Sequence, residues 1–318
     1  MSTPLKFIEM SDIESQAVDW LWYPYIPFGK VTLINGDPGE GKTTFVLNLA
    51  AALTKGWKLP NDAGERDPIN VIYQTAEDGL ADTIKPRLEH AQADCSRISV
   101  IDDSVRPLSM TDERLSAAIT QKNAKLMVLD PIQAYLGADV DLNRANETRP
   151  IFTSLAKTAE ETGCAILLVG HMNKMTGIKA AYRGLGSIDI QGTARSVLIV
   201  GRLRDRPTIR IVAVSKSSLA PEGQSIAFEL NPLSGFTWLD EAFDITADQL
   251  LTGCYDDSKA DNAEKFLMEI LKNGVLAQKE VMQKAKDRGI AERTLQTAKS
   301  NIKVTSKKIG NQWYWGLP

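Results

Sequence analysis

One short segment near the amino terminus constrains this chain more than any other feature. Residues 36–43 read GDPGEGKT and match the pattern GxxxxGK[ST]. The apolar run VTLIN precedes this segment, and the helix-forming run TFVLNLAAALTK follows it. Glycines at these positions let backbone N–H groups turn inward around phosphate oxygens, and the start of a helix adds positive potential. The segment therefore predicts a phosphate-binding loop between a strand and a helix.

Two side chains of this phosphate-binding loop have roles that follow from their chemistry. Lys42 is expected to reach the β- and γ-phosphates of ATP, and the Thr43 hydroxyl is expected to bind Mg²⁺. We therefore predict ATP and Mg²⁺ as cofactors. The residues expected to contact the nucleotide here are Gly36, Asp37, Pro38, Gly39, Glu40, Gly41, Lys42, Thr43 and Thr44.

Two later apolar runs end in carboxylates. LMVLD ends at Asp130, which is expected to hold the magnesium ion through water. VIYQTAED ends in Glu77 and Asp78. A carboxylate at the tip of the strand next to that of the phosphate-binding loop can orient the attacking water, and we predict Glu77 for this role. The alternative is that both acids cap a helix beginning near Leu80.

Strand-like and helical runs alternate through residues 30–230. The early strand-like runs are continuously apolar, as in parallel strands buried on both faces. The later ones are joined by short turns, which predicts antiparallel hairpins at one end of the sheet. The pattern predicts an α/β fold with a mostly parallel central sheet. The predicted strands are 30–35, 70–75, 98–101, 126–130, 165–170, 196–201, 208–215 and 225–230, and the predicted helices are 44–55, 112–122 and 149–162.

Composition argues against several other classes of protein. The chain is 43% hydrophobic and 24% charged, as in ordinary globular domains. Its three cysteines and two histidines are scattered without CxxC spacing, so neither disulfides nor a zinc site is expected. No apolar run reaches the ~20 residues of a membrane span. The amino terminus lacks a basic start followed by an apolar stretch, so no signal peptide is expected. We expect a soluble cytoplasmic protein without membrane contact.

The order of these motifs resembles that of RecA-fold ATPases, in particular the RepA-type hexameric replicative helicases of plasmids and similar proteins of phages and integrated elements. The resemblance rests on GDPGEGKTT, VIYQTAED, LMVLDPIQAYLG and AILLVGHMNK, and YRGLGS, GTARSVLIVGR and VAVSKSSLAP extend it. It covers about residues 20–235. It implies a ring, usually of six subunits, with ATP sites between subunits and DNA in the central channel.

The resemblance also assigns roles to single residues. His171 matches the polar sensor that contacts the γ-phosphate, and its alternative is a core or capping role. Arg195 resembles the arginine finger that enters the neighbouring subunit's site and stabilises transition-state charge, with Arg183 as its competitor. Lys216 either acts on the neighbouring site as well or is an exposed lysine at a strand end. The predicted catalytic residues are Lys42, Glu77, Asp130, His171 and Arg195.

A basic segment follows the predicted sensor. Met172–Gly186 holds Lys174, Lys179 and Arg183 among glycines. In the family that the chain resembles, such a loop faces the channel and contacts DNA phosphates, which predicts Lys174 and Lys179 as DNA contacts. The alternative is a basic loop that is only solvated.

Charge is distributed unevenly along the chain. The net charge is −3, but residues 259–318 hold 12 Lys and Arg against 6 Asp and Glu, a balance of +6. The remainder holds 25 and 34, a balance of −9. A basic patch is the electrostatic footprint of nucleic-acid binding, although a solvated basic surface would have the same composition.

The same basic stretch predicts a winged helix. Its third helix would enter the DNA major groove, and its hairpin would contact the backbone. The alternative is a protein-docking module on the same scaffold. The predicted helices are 262–273, 277–288 and 291–302, and the strands are 304–309 and 313–317. The predicted core residues are Leu295, Ile302, Trp313 and Trp315, and the predicted DNA contacts are Arg293, Lys299, Lys307 and Lys308.

The predicted organisation is an ATPase domain over residues 1–239, a linker over 240–260 and a winged helix over 261–318. From the motifs and the resemblance we predict a DNA-dependent ATPase, a hexameric helicase-like replication protein of a mobile element. DNA and further copies of the chain are the predicted partners. One alternative is an ATP-controlled DNA-binding switch without unwinding activity, and another is a filament-forming recombination or repair ATPase.

Overall fold

The computed structural model describes residues 6–137, 140, 144–172, 192–252, 259–272, 274–310 and 312–317. The chain divides into two compact units, Met1–Gly253 and Cys254–Pro318. Within the described ranges, the first unit is built on a nine-stranded sheet and the second on a three-stranded one. None of the helices described combines the length and the apolarity that crossing a membrane requires.

The first unit alternates strands and helices along most of its length. Its strands are β1 (Trp20–Trp22), β2 (Ile26–Pro27), β3 (Val31–Gly36), β4 (Asn70–Thr75), β5 (Ile98–Ser99), β6 (Ala124–Asp130), β7 (Ala165–His171), β8 (Ser196–Arg202), β9 (Ile209–Ser217), β10 (Ser225–Asn231) and β11 (Gly235–Phe243). Its helices are α1 (Lys42–Lys55), α2 (Lys85–His90), α3 (Glu113–Lys122), α4 (Ala145–Thr162) and α5 (Ala247–Thr252).

The large sheet has the order β11-β10-β9-β8-β3-β7-β6-β4-β5. The six strands from β8 to β5 are parallel, whereas β9, β10 and β11 continue the sheet beyond β8, each antiparallel to the strand before it. The predicted fold class, α/β with a mostly parallel central sheet, is confirmed. Because the carboxyl ends of parallel strands meet at one edge, the loops after β3, β4, β6 and β7 share that edge. We call it the carboxyl edge.

Two apolar layers cover the two faces of the sheet. Alternation along β3 sends Ile34 into the layer that contains α1, while Leu33 joins the opposite layer. Helix α1 contributes the buried Phe45 and Leu49 to the first layer, and α4 contributes Phe152 to the second. Strand β3 is therefore packed on both faces and paired with β7 and β8 on both sides, and the phosphate-binding loop follows this strand.

A cluster of aromatic rings joins the β1–β2 hairpin to the core. The Trp22 ring centroid lies 6.3 Å from that of Phe45 and 6.0 Å from that of Trp238. Phe45 in turn lies 5.6 Å from Phe228. Trp22 also donates a hydrogen bond from Nε1 to the Pro60 carbonyl oxygen at 2.9 Å. The cluster therefore connects β1, α1 and the antiparallel strands.

The linker predicted over residues 240–260 begins too early. β11 continues to Phe243, and α5 follows at Ala247–Thr252, so this stretch belongs to the first unit. Phe243 and Leu250 are buried, and a Cβ added at Gly201 would lie 3.0 Å from Leu250 Cγ. Spaced apolar contacts with the sheet, rather than a regular local pattern, hold the segment in place.

The second unit contains three helices and three strands among its described residues. They are α6 (Lys259–Leu271), β12 (Leu276–Ala277), α7 (Gln278–Asp287), α8 (Glu292–Asn301), β13 (Thr305–Ile309) and β14 (Gln312–Gly316). The strands form an antiparallel sheet of order β12-β14-β13. Phe266, Leu267, Val281, Leu295 and Trp315 are buried in its core, and Ile302 packs against that core.

Trp313 is not buried in this core as predicted, because its side chain is 49% exposed. It pairs with Lys308 near the β13–β14 turn, whereas β12 covers only Tyr314 and Trp315. Period-two alternation places Trp313 and Trp315 on the same face of β14. Trp315 lies beside β12 and is buried, whereas Trp313 lies beyond the end of β12 and is exposed.

Candidate nucleotide-binding site

The conformation of the phosphate-binding loop requires its glycines. Gly39 and Gly41 have φ angles of 79° and 91°, in the left-handed region that favours glycine. A Cβ at Gly41 would lie 2.8 Å from Leu230 Cδ1, and one at Gly36 would collide with the Val200 carbonyl oxygen. The loop is thus tightly curved and packed against neighbouring strands.

Helix α1 begins at the end of this loop. Gly41 is its N-cap residue and offers no side-chain cap. The N–H groups of Lys42, Thr43 and Thr44 lie in the first turn, where an α-helix supplies no internal acceptor. These donors, together with the helix dipole, suit a phosphate group.

Lys42 is buried to 4% exposure beside the loop. Its Nζ donates to the carbonyl oxygens of Gly36 at 2.9 Å and Asp37 at 3.0 Å, and it lies 3.2 Å from His171 Nδ1. Burial lowers the pKa of this ammonium group, while the charges of nearby acids, Asp130 first, oppose that shift. In the described part of the chain Lys42 forms no ion pair, so its charge is available for an anion.

Thr43 and Asp130 meet directly across the carboxyl edge. Thr43 Oγ1 donates to Asp130 Oδ2 at 2.9 Å, and the buried Tyr73 hydroxyl donates to the same oxygen at 2.8 Å. Burial raises the pKa of Asp130, and the two hydrogen bonds and the charge of Lys42 counteract that rise. A hydroxyl and a carboxylate at this distance form an oxygen donor set that fits Mg²⁺.

Glu77 and Asp78 have different surroundings. Asp78 Oδ2 is paired with Arg87 Nη1 at 3.1 Å, whereas Glu77 is exposed and makes no hydrogen bond among the described residues. The charge of Glu77 nevertheless affects the pKa values of Lys42 and Asp130, so this carboxylate lies near the site. Neither acid caps the turn after Gly79, which has no side-chain cap.

The expectation that Glu77 follows the strand next to that of the phosphate-binding loop is wrong. β7 and β6 lie between β3 and β4 in the sheet. The lateral order of strands depends on the crossover connections, which strand patterns along the chain do not reveal. Strand β4 is nonetheless the direct neighbour of β6, and Thr75 is in register with Asp130. Glu77, two residues after Thr75, therefore leaves the sheet at the same edge as Asp130.

His171 ends β7 in register with Gly36 at the start of the loop. Burial and the charge of Lys42 lower the pKa of the imidazole, which favours its neutral form. Because Lys42 is a donor, the neutral ring accepts the hydrogen bond at Nδ1. The structure therefore brings Lys42, Thr43, Asp130 and His171 together at the carboxyl edge.

Arg195 and Lys216 lie at the opposite, amino edge of the parallel strands. Ser196 is in register with Thr32, four residues before Gly36, which corresponds to roughly 13 Å along the strand. Lys216 Nζ donates to the carbonyl oxygens of Gly192 at 3.2 Å and Ala194 at 2.8 Å. Burial, and then the charge of Arg195, lowers the pKa of Lys216. The two cations are neighbours, and both are remote from their own phosphate-binding loop.

The other predicted nucleotide and DNA contacts of the first unit, Lys174, Lys179 and Arg183, lie outside the described residues. In the second unit Lys307 and Lys308 are exposed on β13, while the side chain of Arg293 lies outside the description.

Lys299 is predicted as an exposed DNA contact, but its side chain is half-buried in the structure. Its Nζ donates to Ser306 Oγ at 2.7 Å and lies 4.3 Å from the Trp315 ring centroid. Burial lowers the pKa of this ammonium group. The side chain packs α8 against the β13–β14 hairpin, a contact that spacing along the helix cannot reveal.

A cavity of about 500 Å³ adjoins the first turns of α1. Its wall is formed partly by α1 and α2 and partly by the β10–β11 turn. The polar and aromatic side chains among its lining residues are Thr44, Asn48, Arg87, His90, Asn231 and Phe236. Sequence reasoning missed this cavity because its walls come from three distant segments without a shared motif.

The strand order, the glycine loop and the Lys42–Thr43–Asp130 constellation define a RecA-like P-loop ATPase. The profile of the AAA domain family matches residues 2–177, more than half of the chain, and the chain belongs to that family.

Two curated proteins and one solved structure are similar to parts of this chain. The DNA repair protein RadA of Bacillus subtilis (strain 168) is 31% identical over 149 residues, 46% of this chain and 28% of that protein. The DNA repair protein RadA of Escherichia coli (strain K12) is 30% identical over 152 residues, with the same coverage of 46% and 28%. The aligned region thus spans less than a third of the length of each of these relatives. A KaiC-like protein of Pyrococcus horikoshii OT3 has a TM-score of 0.47 and 18% identity, covering 67% of this chain and 91% of its own.

Proposed function

We propose that this chain is a DNA-dependent ATPase that hydrolyses the γ-phosphate of ATP. The observation that carries this proposal is the buried Lys42 ammonium, free of ion pairs among the described residues and adjacent to the Thr43–Asp130 pair. Burial of a cation without an ion pair in direct contact costs free energy, and an anion between the loop and Lys42 relieves that cost.

Each residue at the carboxyl edge has a distinct task in this proposal. The loop N–H groups and Lys42 hold the β- and γ-phosphates, while Thr43 and Asp130 hold Mg²⁺. When bound, Mg²⁺ neutralises charge on the phosphate oxygens. Glu77 orients the attacking water and accepts its proton. His171, hydrogen-bonded to Lys42, detects the γ-phosphate.

The adenine base is assigned to the cavity beside α1. This cavity adjoins Thr44, directly after the loop, and Phe236 offers an aromatic ring for a base. Its volume of about 500 Å³ lies within the ordinary range for small-ligand sites.

Substitutions at Lys42 and at the neighbouring acids Glu77 and Asp78 test the proposed hydrolysis of ATP. Lys42→Ala should abolish hydrolysis, since it removes the charge from the phosphates. Glu77→Gln should keep ATP binding but hydrolyse at least about a hundredfold more slowly. Asp78→Asn is the matched control and should stay close to wild type, because Asp78 is engaged with Arg87. Steady-state ATPase rates measured with and without single- and double-stranded DNA decide the outcome, and near-normal turnover of Glu77→Gln would remove its assignment.

The second unit is proposed to be a DNA-binding winged helix. Three helices, a two-stranded hairpin and the exposed Lys307 and Lys308 support this assignment. A protein-docking role is the alternative, favoured by the exposed Trp313 beside a groove of about 690 Å³ between α7 and the start of α8. Binding of the isolated module to duplex DNA at low salt separates the two.

The wider role is proposed to be that of a helicase-like replication protein, assembled as a RepA-type hexameric ring around DNA. The motif order supports this role. The relatives named DNA repair protein RadA favour a second candidate, a recombination or repair ATPase. Unwinding of a forked DNA substrate distinguishes a helicase from a DNA-binding switch. Negative-stain imaging with ATP distinguishes a ring from a filament.

A further inference from the structure

Two arginines contact the outer side of the phosphate-binding loop. Arg202 ends β8, and Arg210 lies opposite it in register on β9. Arg202 Nη2 donates to the Gly39 carbonyl oxygen at 3.2 Å, and Arg210 Nε donates to the Glu40 carbonyl oxygen at 3.2 Å. Two successive carbonyl groups of the loop are thus held from outside by side chains that lie beyond the loop motif.

The geometry of the peptide bond turns these contacts into a constraint on the inner surface of the loop. In a trans peptide, the carbonyl of one residue and the N–H of the next point in opposite directions. Holding the Glu40 carbonyl outward therefore turns the N–H group of Gly41 inward, while the Glu40 N–H donates to the Asp37 carbonyl oxygen at 3.3 Å within the loop. Such inward N–H groups are the donors that a phosphate-binding loop offers to its ligand.

Arg210 is unusual in being buried, with 7% of its surface exposed. Burial, and then the charge of Arg202, lowers the pKa of its guanidinium group. It forms no ion pair among the described residues, and its Nη1 donates to the Pro207 carbonyl oxygen. Burying a guanidinium without a carboxylate partner costs free energy, and the contacts observed attach it to the loop and to the start of β9.

Arg202 adds an ion pair within the same loop. Its Nε lies 3.0 Å from Glu40 Oε1, and the Glu40 side chain is 15% exposed. One guanidinium therefore holds both a side chain and a backbone carbonyl of the loop. Such a bidentate anchor restricts the loop more than a single contact would.

We propose that Arg202 and Arg210 are positioning residues that hold the phosphate-binding loop in its ligand-ready conformation before a nucleotide arrives. The proposal deepens the proposed ATPase function and rests on it. Arg210 is the main anchor, because its side chain is buried and fixed at both ends of the guanidinium group. Neither arginine belongs to the loop motif, and each acts through the peptide groups that it holds.

The test compares nucleotide affinity with stability in four variants. Arg210→Met removes the donors while keeping a side chain of similar length, and Arg210→Lys keeps charge without the planar group. Arg202→Gln removes the ion pair with Glu40. Arg204→Gln is the matched control, since Arg204 is an exposed arginine that donates to the Thr252 carbonyl instead of the loop. The probes are mant-ADP and inorganic pyrophosphate, with the thermal unfolding midpoint of each nucleotide-free variant measured alongside.

A positioning role predicts that Arg210→Met weakens binding of both probes about tenfold or more, as expected for losing a charge-assisted hydrogen bond and the loop order it maintains. Arg210→Lys and Arg202→Gln should weaken binding less, and Arg204→Gln should bind as wild type does. Pyrophosphate lacks the base, so an equal loss for both probes locates the defect at the phosphates.

A merely structural role predicts lower unfolding midpoints with unchanged dissociation constants in the folded variants, and that result would overturn the proposal. If Arg210→Met does not fold, Arg210→Lys and Arg202→Gln decide, and wild-type affinity in both overturns it as well. Failure of wild type to bind either probe would instead refute the proposed nucleotide function, which keeps the two failures distinguishable.

Discussion

At the scale of single residues, the hydrogen bond between Lys42 and His171 connects the loop to the strand beside it. The imidazole accepts at Nδ1 only while it is neutral. Its pKa lies below the ordinary value because the ring is buried next to a cation. Protonation of His171 would place two positive charges in contact at the site.

Stability of the nucleotide-free protein should therefore depend on His171 at mildly acidic pH. A lowered pKa means that the unfolded chain takes up the proton first, so this contribution is complete above about pH 6.5. It is lost as the pH falls through the ordinary value towards the lowered one. His171→Gln, which cannot titrate, should show a shallower decrease in thermal unfolding midpoint between about pH 7.5 and pH 5.5. Parallel decreases in wild type and variant would contradict this account.

Residue types in motifs were predictable, whereas contacts across strands were not. Lys42, Thr43 and Asp130 are recognisable because each belongs to a motif at the carboxyl end of a strand, and the structure brings them together. Tyr73 and Arg210 carry no motif, and only the lateral order of strands brings them to Asp130 and to the loop. The lateral order of the strands depends on how the connections cross the sheet, and strand patterns along the sequence do not show those crossovers.

At the scale of elements, the aromatic cluster shows how short strands are held. β1 spans Trp20–Trp22 and pairs only with the equally short β2. So short a segment has no periodicity to read, and it escaped prediction for that reason. Its position comes from Trp22, whose ring contacts α1 and β11 through Phe45 and Trp238.

Loss of this anchor should be costly. Trp22 is 1% exposed, so Trp22→Ala should lower the free energy of unfolding by about 3–5 kcal/mol. Trp57→Ala is the control, because Trp57 is 45% exposed and its loss should change stability by no more than about 0.5 kcal/mol. Urea denaturation followed by circular dichroism measures both variants. Equal effects would show that the cluster does not anchor the hairpin.

At the scale of the whole molecule, the boundary between the two units determines where the chain can be divided. The boundary falls after Gly253, beyond β11 and α5. The boundary predicted near residue 239 would cut β11 and remove α5. It was placed there because the sequence shows no clear periodicity after the last strand-like run.

Truncation after Gly253 should separate DNA capture from catalysis. Residues 1–253 hold the proposed active site, while the segment 259–318 carries a net charge of +6. The truncated chain should keep nearly full basal ATPase activity and lose at least ~tenfold in duplex affinity at low salt. Fluorescence anisotropy and ATPase assays test both parts. Unchanged duplex binding would assign DNA contact to the first unit.

The edge that carries Arg195 predicts activity shared between subunits. Arg195→Ala subunits mixed with Glu77→Gln subunits should recover part of the activity that each lacks alone, because some mixed interfaces combine an intact Glu77 site with an intact Arg195. ATPase rates across mixing ratios measure the recovery. A rate per subunit that is unchanged on dilution to monomer would exclude a role for Arg195 in a neighbouring site.

Arg195 and the phosphate-binding loop occupy opposite edges of one sheet, and this separation limits how copies of the chain can associate. If the arginine completes the next copy's site, the contact is head-to-tail and cannot be satisfied by a two-fold dimer. A closed ring of n copies then has n complete sites, whereas an open chain of n copies has n − 1. In the open case turnover per subunit rises with length towards a plateau, so kinetics alone would report whether the assembly closes.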